Sequence, residues 1–561
     1  MIRREWIAYF SMEIAVDPHV PTYSGGLGVL AGDTLRAAAD LGLPVVVVTL
    51  LHRKGYFRQK LDGHGNQTEE PVEWKVEDYL EEMKQRVAIT LEGRNVYLRS
   101  WRYQITGVNG FKVPVFFLDS DLSENSPADR QLTHYLYGQD QHYRLSQEVI
   151  FGIGGIRMLR VLGYNSVRKF HMNEGHAAFL AFELIEEQRV QKSKAALDQA
   201  DLEDVRARCV FTTHTPVPAG HDQFPFDLVH QVAGDTATNQ MKSFFGFDQS
   251  LNMTTLALKA SGYVNGVSQK HAEVTRRMFP NIEIHAITNG VHAATWVVQP
   301  FQELFDRYLP HWRQDNSRLR FAFSIPKPEI WQTHLKTKQD LMERVKASTG
   351  VVFDPEVLTL GFARRVTGYK RADLIFHDPA RLEKIAHAGN PLQIVFSGKA
   401  HPRDHHGKDL IRKIFQAKER FQESIKVAYL ENYDMELGKL MTSGVDVWLN
   451  NPEPPLEASG TSGMKAALNG VPSLSILDGW WTEGFVQGIT GWAIGTDRSE
   501  HSSSHDEDAR LLYDQLEQQV LPLFTKEREH FIGMMRCAIA LNGSFFNTER
   551  MMKDYITQAY F

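Results

Sequence analysis

The chain has 561 residues, too many for one hydrophobic core, so two or more domains are expected. With 42% hydrophobic and 23% charged residues it has the composition of an ordinary soluble globular protein. A net charge of -6 and a pI near 6.5 argue against a nucleic-acid or anionic-membrane partner.

The two cysteines, Cys209 in an apolar strand-like run and Cys537 in a helix-like one, read as reduced, buried thiols of a cytoplasmic protein. The longest apolar run, Pro44 to Leu51, is strand length and cannot span a bilayer. Met1 to Trp6 carries two arginines but no apolar segment, so no signal peptide is read. Trp6 to Ser11 reads as a first strand. Tyr23-Ser24-Gly25-Gly26-Leu27-Gly28 is a glycine-rich turn opening a helix through Leu41, and Val45 to Leu50 is a second strand. Together they predict a βαβ unit. Residues 55–120 alternate aromatic, β-branched and polar side chains and read as hairpins decorating the sheet. Leu145 to Leu162 is helical by period, Val167 to His171 is a strand, and Asn173-Glu174-Gly175-His176 caps a helix from Ala177 to Glu187. Arg208 to Thr213 is a buried strand that ends in His214-Thr215-Pro216-Val217-Pro218-Ala219-Gly220-His221. The carboxyl ends of parallel strands are where α/β proteins hold ligands. His214 and His221 are seven apart across two prolines, which is not a helical metal pair. Val264 to Ser268 and Ile287 to His292 are two further strand-end turns, each with an Asn-Gly pair.

Near Trp296 the pattern changes, and Lys327 to Ser348 is one long amphipathic helix. A second α/β block starts with the strand Leu358 to Ala363 and leaves through Arg364-Arg365-Val366-Thr367-Gly368-Tyr369-Lys370-Arg371 into a helix. Four cations at a strand end favour a bound phosphate. Strands follow at Gln393 to Gly398, Ile425 to Leu430 and Asp446 to Leu449. Then comes Glu457-Ala458-Ser459-Gly460-Thr461-Ser462-Gly463-Met464-Lys465, a carboxylate, a phosphate-binding turn and a lysine within nine residues. Ser459 and Thr461 read as N-caps, Lys465 falls in the first helical turn, and Asn469-Gly470 stops the helix before the strand Val471 to Leu477. Taken alone, a lysine there is a solvated surface residue. His401-Pro402-Arg403-Asp404-His405-His406 has metal-ligand residue types at a spacing that fits no standard site, so no metal is expected. Glu500 to Asp508 is a polar loop whose Ser504 starts a helix near Ala509, and Glu529 to Phe561 is a helical tail. Each half is βαβ-rich and carries a glycine-rich or basic turn. The predicted fold class is therefore α/β, with two doubly wound domains facing a central cleft.

From Tyr9-Phe10-Ser11-Met12-Glu13 to Gly491-Trp492-Ala493-Ile494-Gly495 the chain resembles the α-glucan phosphorylases, the glycogen, starch and maltodextrin family, and especially its short bacterial branch. Glu457 to Leu468 and Arg365…Tyr369-Lys370-Arg371 are the most specific stretches. The resemblance implies the GT-B arrangement of two Rossmann-like domains. Residues 1–295 would form the N-terminal domain on the glucan and phosphate side, and 296–530 the C-terminal domain on the cofactor side. Residues 531–561 would pack back on the first domain, and an N-terminal regulatory arm is not expected. The implied reaction is reversible, retaining phosphorolysis of terminal α-1,4-glucosyl units with orthophosphate to give α-glucose 1-phosphate.

The implied cofactor is pyridoxal 5′-phosphate on Lys465, its phosphate shuttling a proton while the imine stays idle. By the same resemblance, Gly25 and Gly26 approach the phosphates, Arg365 and Lys370 clamp substrate phosphate, and Thr461 and Ser462 lie on the cofactor side. His214 lies beside the developing oxocarbenium-like sugar, and Asn289, Glu457, Ser459 and Gly460 bond glucosyl hydroxyls. Trp296, Arg364 and Tyr433 surround the cofactor, and Asn173 and His176 fall near the acceptor side. Two phosphates in contact repel, which Arg365, Lys370 and helix N–H groups must offset, and their proximity raises the last pKa so that one proton is shared. The implied partners are an α-glucan or maltooligosaccharide, orthophosphate and glucose 1-phosphate, with no nucleic acid and no membrane; homodimers are common in the family. Departures are Arg364 for a lysine, Gly463 for an asparagine, Asp434 for an arginine, Ala15 for an aromatic, and Asn451 to Pro455 in place of a basic pair. Two other readings stay open. A nucleotide-sugar-dependent GT-B glycosyltransferase would use Arg365, Lys370 and Glu457 and leave Lys465 an ordinary helix residue. A non-catalytic glucan-binding protein would need neither phosphate site.

Overall fold

The computed structural model describes residues 5–138, 140–194, 198–216, 221–247, 249–387, 391–421, 424–496 and 504–561. Among them, two large sheets carry the chain. The first contains β1 (Trp6–Ser11), β2 (Val45–Leu50), β3 (Glu81–Leu91), β4 (Arg94–Thr106), β5 (Lys112–Asp119), β6 (Val167–Asn173), β7 (Cys209–Thr212), β8 (Tyr263–Gly266) and β9 (His285–Ala286). Their order is β9-β8-β7-β6-β1-β2-β5-β4-β3. β4 pairs antiparallel with both β3 and β5 at one edge, and the remaining neighbours are parallel. β2 is Val-Val-Val-Val-Thr-Leu and fully buried, as a strand covered on both faces must be. Side chains alternate across it: Phe10 and Val48 face a cluster with Leu145, Phe151 and Phe170, while Tyr9 and Val47 face one with Leu35, Tyr555 and Tyr560.

The second sheet, β10 (Leu358–Ala363), β11 (Leu392–Ser397), β12 (Ile425–Leu430), β13 (Val447–Asn450), β14 (Ser473–Ile476) and β15 (Gly491–Ile494), is parallel throughout. Its order, β12-β11-β10-β13-β14-β15, is that of a doubly wound dinucleotide-binding sheet. The strand order reverses between β10 and β13, and in the first sheet between β6 and β1. Ligands bind at such switch points, outside the carboxyl ends of the strands. The helix Lys327–Thr349 is pinned to the second sheet by Asp446, which accepts from Lys338 Nζ at 2.6 Å and His334 Nε2 at 2.8 Å. The carboxyl ends of the two sheets meet: Ser268 Oγ donates to Ala458 O at 2.7 Å, and Gln59 Nε2 to Gly398 O at 2.8 Å. This is the GT-B arrangement.

Several local expectations need correction. β3, β4 and β5 are the first sheet's own edge, not a decoration; the hairpin that stands apart is Arg58–Leu61 with Gln67–Glu70. The helical run from Leu145 is interrupted by a π-turn at Ile150–Gly154, and the helix after His176 begins at Leu180, behind a 3₁₀ turn. No α-helix follows the basic block directly. A 3₁₀ turn, Gly368–Lys370, lies inside the block, Arg371 takes a left-handed φ of 50°, a second 3₁₀ turn follows at Leu374–Phe376, and the α-helix starts at Pro379. Ser504 does cap a helix by accepting from Glu507 N at 3.0 Å, but that helix starts at His505. Cys537 is half-buried rather than buried. Residues 217–220 and 500–503 of the loops read above lie outside the described residues. No described helix is long and apolar enough to cross a membrane.

The last helical stretch lies against the first sheet. Tyr560 Oη sits 2.7 Å from His171 Nδ1, and Tyr555 Oη 3.0 Å from Thr212 Oγ1. Arg550 Nη2 donates to Asn289 O at 3.0 Å, and Val291 N to Phe546 O at 3.1 Å.

Candidate active site

The chain leaves β13, loops past Glu457, and turns into the helix Thr461–Leu468 through Gly460, whose φ of 88° suits glycine. Gly460 is therefore the N-cap, and no side chain among the described residues caps the helix. Ser459 and Thr461, expected as caps, are not: the left-handed turn leaves Ser459 Oγ buried without a hydrogen-bond partner among the described residues. Lys465 lies one turn further in than expected, and only 6% of it is exposed, so the solvated reading fails. Its Nζ stands 3.6 Å from the centre of the Trp296 ring and makes no hydrogen bond to a described residue. Burial pulls the amine down to about 8, against the attraction of Asp33. Asp33 itself accepts from Trp296 Nε1 at 2.6 Å. Tyr433 and Trp296 both border Gly438, where a Cβ would stand 3.0 Å from Tyr433 Oη and 3.6 Å from Trp296 Cζ3. Ser462 Oγ is 3.1 Å from the Trp448 indole nitrogen, which donates to it.

Glu457 is the electrostatic centre of this half. Its Oε2 accepts from Lys370 Nζ at 2.6 Å and Arg364 Nη1 at 2.9 Å. Burial would raise its carboxyl, but Lys370 and then Arg364 outweigh that and hold it at about 2. The basic block thus divides. Arg364 and Lys370 share Glu457, and Arg365 is exposed in the cleft, facing Tyr369, Tyr56, Glu13 and Tyr137. Arg371, counted with the phosphate cations in the sequence, is buried elsewhere: it donates to Asn451 O at 2.9 Å, Pro452 O at 2.7 Å and Asp508 Oδ2 at 2.8 Å. It holds the strand-end loop that leads to Glu457.

The first sheet supplies the opposite wall. Gly25 and Gly26 have open space where a Cβ would stand. The Glu13 carboxylate sits at this turn, accepting from Ser24 N at 2.5 Å, Gly25 N at 3.2 Å and Tyr137 Oη at 2.9 Å. His214 Nε2 lies 2.7 Å from Asn173 Oδ1. Burial and the neighbouring His271, His171 and His176 push His214 down to about 3, so its ring is neutral at pH 7. His176 stands 3.5 Å from Asp222 Oδ2, next to the Tyr137 ring, and its Nδ1 has no partner among the described residues. Asn289 is buried on the loop after β9, and its Oδ1 is likewise without a partner there.

Three residues of this neighbourhood were not singled out from sequence. Glu13 occupies the glycine turn. Glu174 adopts φ 79° and ψ 165°, a region few side chains visit, and is held by bonds from Gly175 N at 3.1 Å, His214 N at 2.8 Å and Thr215 Oγ1 at 3.0 Å. Asp478 accepts from Glu457 N at 2.8 Å, and burial pushes its carboxyl up to about 7. The only trace of Glu174 in the sequence is a carboxylate between Asn173 and Gly175 at a strand end. The histidines around residue 401 form no group that could hold a metal among the described residues.

A carbohydrate phosphorylase family model matches residues 222–483, and a starch synthase catalytic domain model matches residues 7–289. Over 99% of its length the chain is 39% identical to a maltodextrin phosphorylase of Thermococcus litoralis, covering 70% of that protein. It is 38% identical, over the same two shares, to a glycogen phosphorylase of Mycobacterium tuberculosis. It is 36% identical to a glycogen phosphorylase of Aquifex aeolicus, covering 86% of that protein. The chain belongs to the carbohydrate phosphorylase family. For a phosphorylase, two of its departures now have local reasons. A Cβ on Gly463 would stand 2.8 Å from Trp480 Cζ2, so the asparagine expected there has no room. Asp434 caps the helix Met435–Gly444 by accepting from Leu437 N at 2.8 Å.

Proposed function

We propose that the chain is an α-glucan phosphorylase that takes pyridoxal 5′-phosphate on Lys465 and transfers terminal α-1,4-glucosyl units to orthophosphate. The observation that carries this reading is the Lys465 amine. It is buried against Trp296, without a hydrogen-bond partner among the described residues, and pulled down to about 8 by burial. An amine so placed is partly neutral at pH 7 to 8, which reaction with an aldehyde requires. The uncapped N-terminus of its helix and the neighbouring Arg364 suit the cofactor's phosphate. When bound, pyridoxal phosphate would supply a phosphate group that exchanges a proton with the substrate phosphate.

The chain's own residues do the rest. Arg365 and Lys370 receive orthophosphate, Lys370 by sharing itself with Glu457. Ser459 Oγ and Asn289 Oδ1, both without a hydrogen-bond partner among the described residues, hold the glucosyl hydroxyls from opposite walls together with the Glu457 carboxylate. Neutral His214, fixed by Asn173, orients the sugar without placing a positive charge beside a centre that becomes positive. His176 lies on the acceptor side. The division near residue 295, the return of the tail and a cytoplasmic setting belong to the same reading.

The match of residues 7–289 to the starch synthase model favours one other reading, a nucleotide-sugar glycosyltransferase. One experiment separates them. The purified protein is reduced with borohydride, digested and searched for a phosphopyridoxyl group on Lys465. It is also assayed with maltodextrin plus orthophosphate and, separately, with sugar nucleotides. An adduct together with glucose 1-phosphate is expected. A bare lysine, no phosphorolysis and glucan extension from a sugar nucleotide would overturn the reading.

A further inference from the structure

The side chains placed around the glucosyl unit come from both sheets, and one short segment touches both groups. Residues 478–483 follow β14. At one end, the fully buried Asp478 accepts from Glu457 N at 2.8 Å through Oδ2 and from Gly479 N at 2.9 Å through Oδ1. Gly479 has φ 55° and passes beneath the same loop, where a Cβ would stand 2.4 Å from Ser459 O. Trp480 N then donates to Ser459 O at 2.8 Å. At the other end, Glu483 crosses to the first sheet, where Oε1 accepts from Gln269 N at 3.0 Å and Oε2 from Thr288 Oγ1 at 2.7 Å. Thr288 directly precedes Asn289. Phe546 packs edge-on to the Trp480 ring, 4.8 Å between centres, so the segment is also backed by the tail.

We propose that residues 478–483 form a two-ended clamp that sets the width of the glucosyl pocket, with Asp478 and Glu483 as positioning residues for the Glu457–Gly460 loop and for Asn289; this rests on the glucosyl reading of Asn289, Glu457 and Ser459 given above. A sugar ring bridges the two loops and binds only when both are at the right distance; displacements near 1 Å are costly in such sites. Arg365 and Lys370 both stand on the second sheet beyond β10. Orthophosphate recognition by this pair does not depend on Glu483 or Thr288, whereas Asp478 also positions Glu457, the partner of Lys370. The first-sheet end of the clamp therefore separates the two substrates: loosening it weakens the sugar and spares the phosphate.

The test uses the full-length protein as Glu483→Gln, Thr288→Val and Asp478→Asn. The readouts are the KM for glucose 1-phosphate, the KM for orthophosphate, the Kd of glucose from tryptophan fluorescence, and Tm. Each variant is expected to raise the glucose Kd and the glucose 1-phosphate KM about tenfold, the scale of one lost charged hydrogen bond, with the orthophosphate KM of Glu483→Gln and Thr288→Val within about twofold of wild type. Glu483→Gln combined with Thr288→Val should be no worse than Glu483→Gln alone, because both act on the one contact between Glu483 and Thr288. Unchanged glucose affinity in Glu483→Gln and Asp478→Asn, or equal rises in both KM values in Glu483→Gln and Thr288→Val, would overturn the clamp. Thr288→Val changes no charge and little volume, so it reports on the contact even if Asp478→Asn fails to fold. A wild-type protein that binds glucose but makes no glucose 1-phosphate would sink the phosphorylase reading and leave the clamp to be judged by glucose affinity. A wild type that binds neither sugar would end both.

Discussion

Replacing Glu457 by glutamine removes the one negative charge that Arg364 and Lys370 share, with almost no change in volume. Three buried charges become two like charges with no carboxylate between them. The size of the effect follows from the carboxyl itself, held at about 2 where an unperturbed glutamate has 4.5. At 1.36 kcal/mol per unit, this corresponds to roughly 3 kcal/mol of stability at pH 7, the scale expected on breaking a buried ion pair. Because the folded pKa lies below the unfolded one, that contribution is complete above about pH 4.5 and is lost as pH falls through 2. Urea unfolding followed by tryptophan fluorescence should therefore show Glu457→Gln about 3 kcal/mol less stable at pH 7, with the gap closing in acid. Orthophosphate should stabilise the variant more than wild type, since it can take the place of the lost carboxylate between the two cations. Equal stabilities from pH 7 down to about 4.5, or identical stabilisation by phosphate, would refute the reasoning.

Three further outcomes are expected. With an amine near 8, Lys465 in cofactor-free protein should react with pyridoxal phosphate faster as pH rises through 8 and then level off, whereas an exposed lysine accelerates until about pH 10; borohydride trapping against pH reads this, and Lys465→Ala should abolish both the adduct and phosphorolysis. Gly463→Ala places a methyl 2.8 Å from Trp480 Cζ2 and should lower stability by about 1–3 kcal/mol, visible as a lower Tm. Arg371→Met takes the guanidinium from Asn451 O, Pro452 O and Asp508, and should cost about 3–5 kcal/mol in urea unfolding.

The strands were legible because buried parallel strands are predominantly apolar runs: Val45 to Leu50, Leu358 to Ala363 and Ile425 to Leu430 match their observed bounds residue for residue. Both strand-end loops were legible for a related reason, since glycines and cations after such runs have few other uses. What the sequence concealed was direction. Arg364, Arg365, Lys370 and Arg371 look alike in one dimension, and only the left-handed backbone at Arg371 turns that residue away from the others. Ser459 looked like a cap because its residue type prefers that role; Gly460 took the turn, and the serine was left with an open hydroxyl. Glu13, Glu174 and Asp478 act through contacts with residues 11 to 40 positions or more away or with backbone N–H groups, so no local pattern marks them.

The tyrosines at positions 555 and 560 bear on how the chain acquires its shape during synthesis. They meet His171, Thr212 and Asn265, groups on the middle strands of the first sheet. Those strands leave the ribosome hundreds of residues before their partners do. Until residues 546–560 emerge, the imidazole of His171 and the amide of Asn265 lack these hydroxyl neighbours, and the apolar face around Tyr9 and Val47 is covered only in part, by Leu30, Leu35 and their neighbours on the helix Gly26–Asp40. A nascent chain halted before this stretch would leave the rest of that face exposed, a surface for chaperones to hold and for proteases to find.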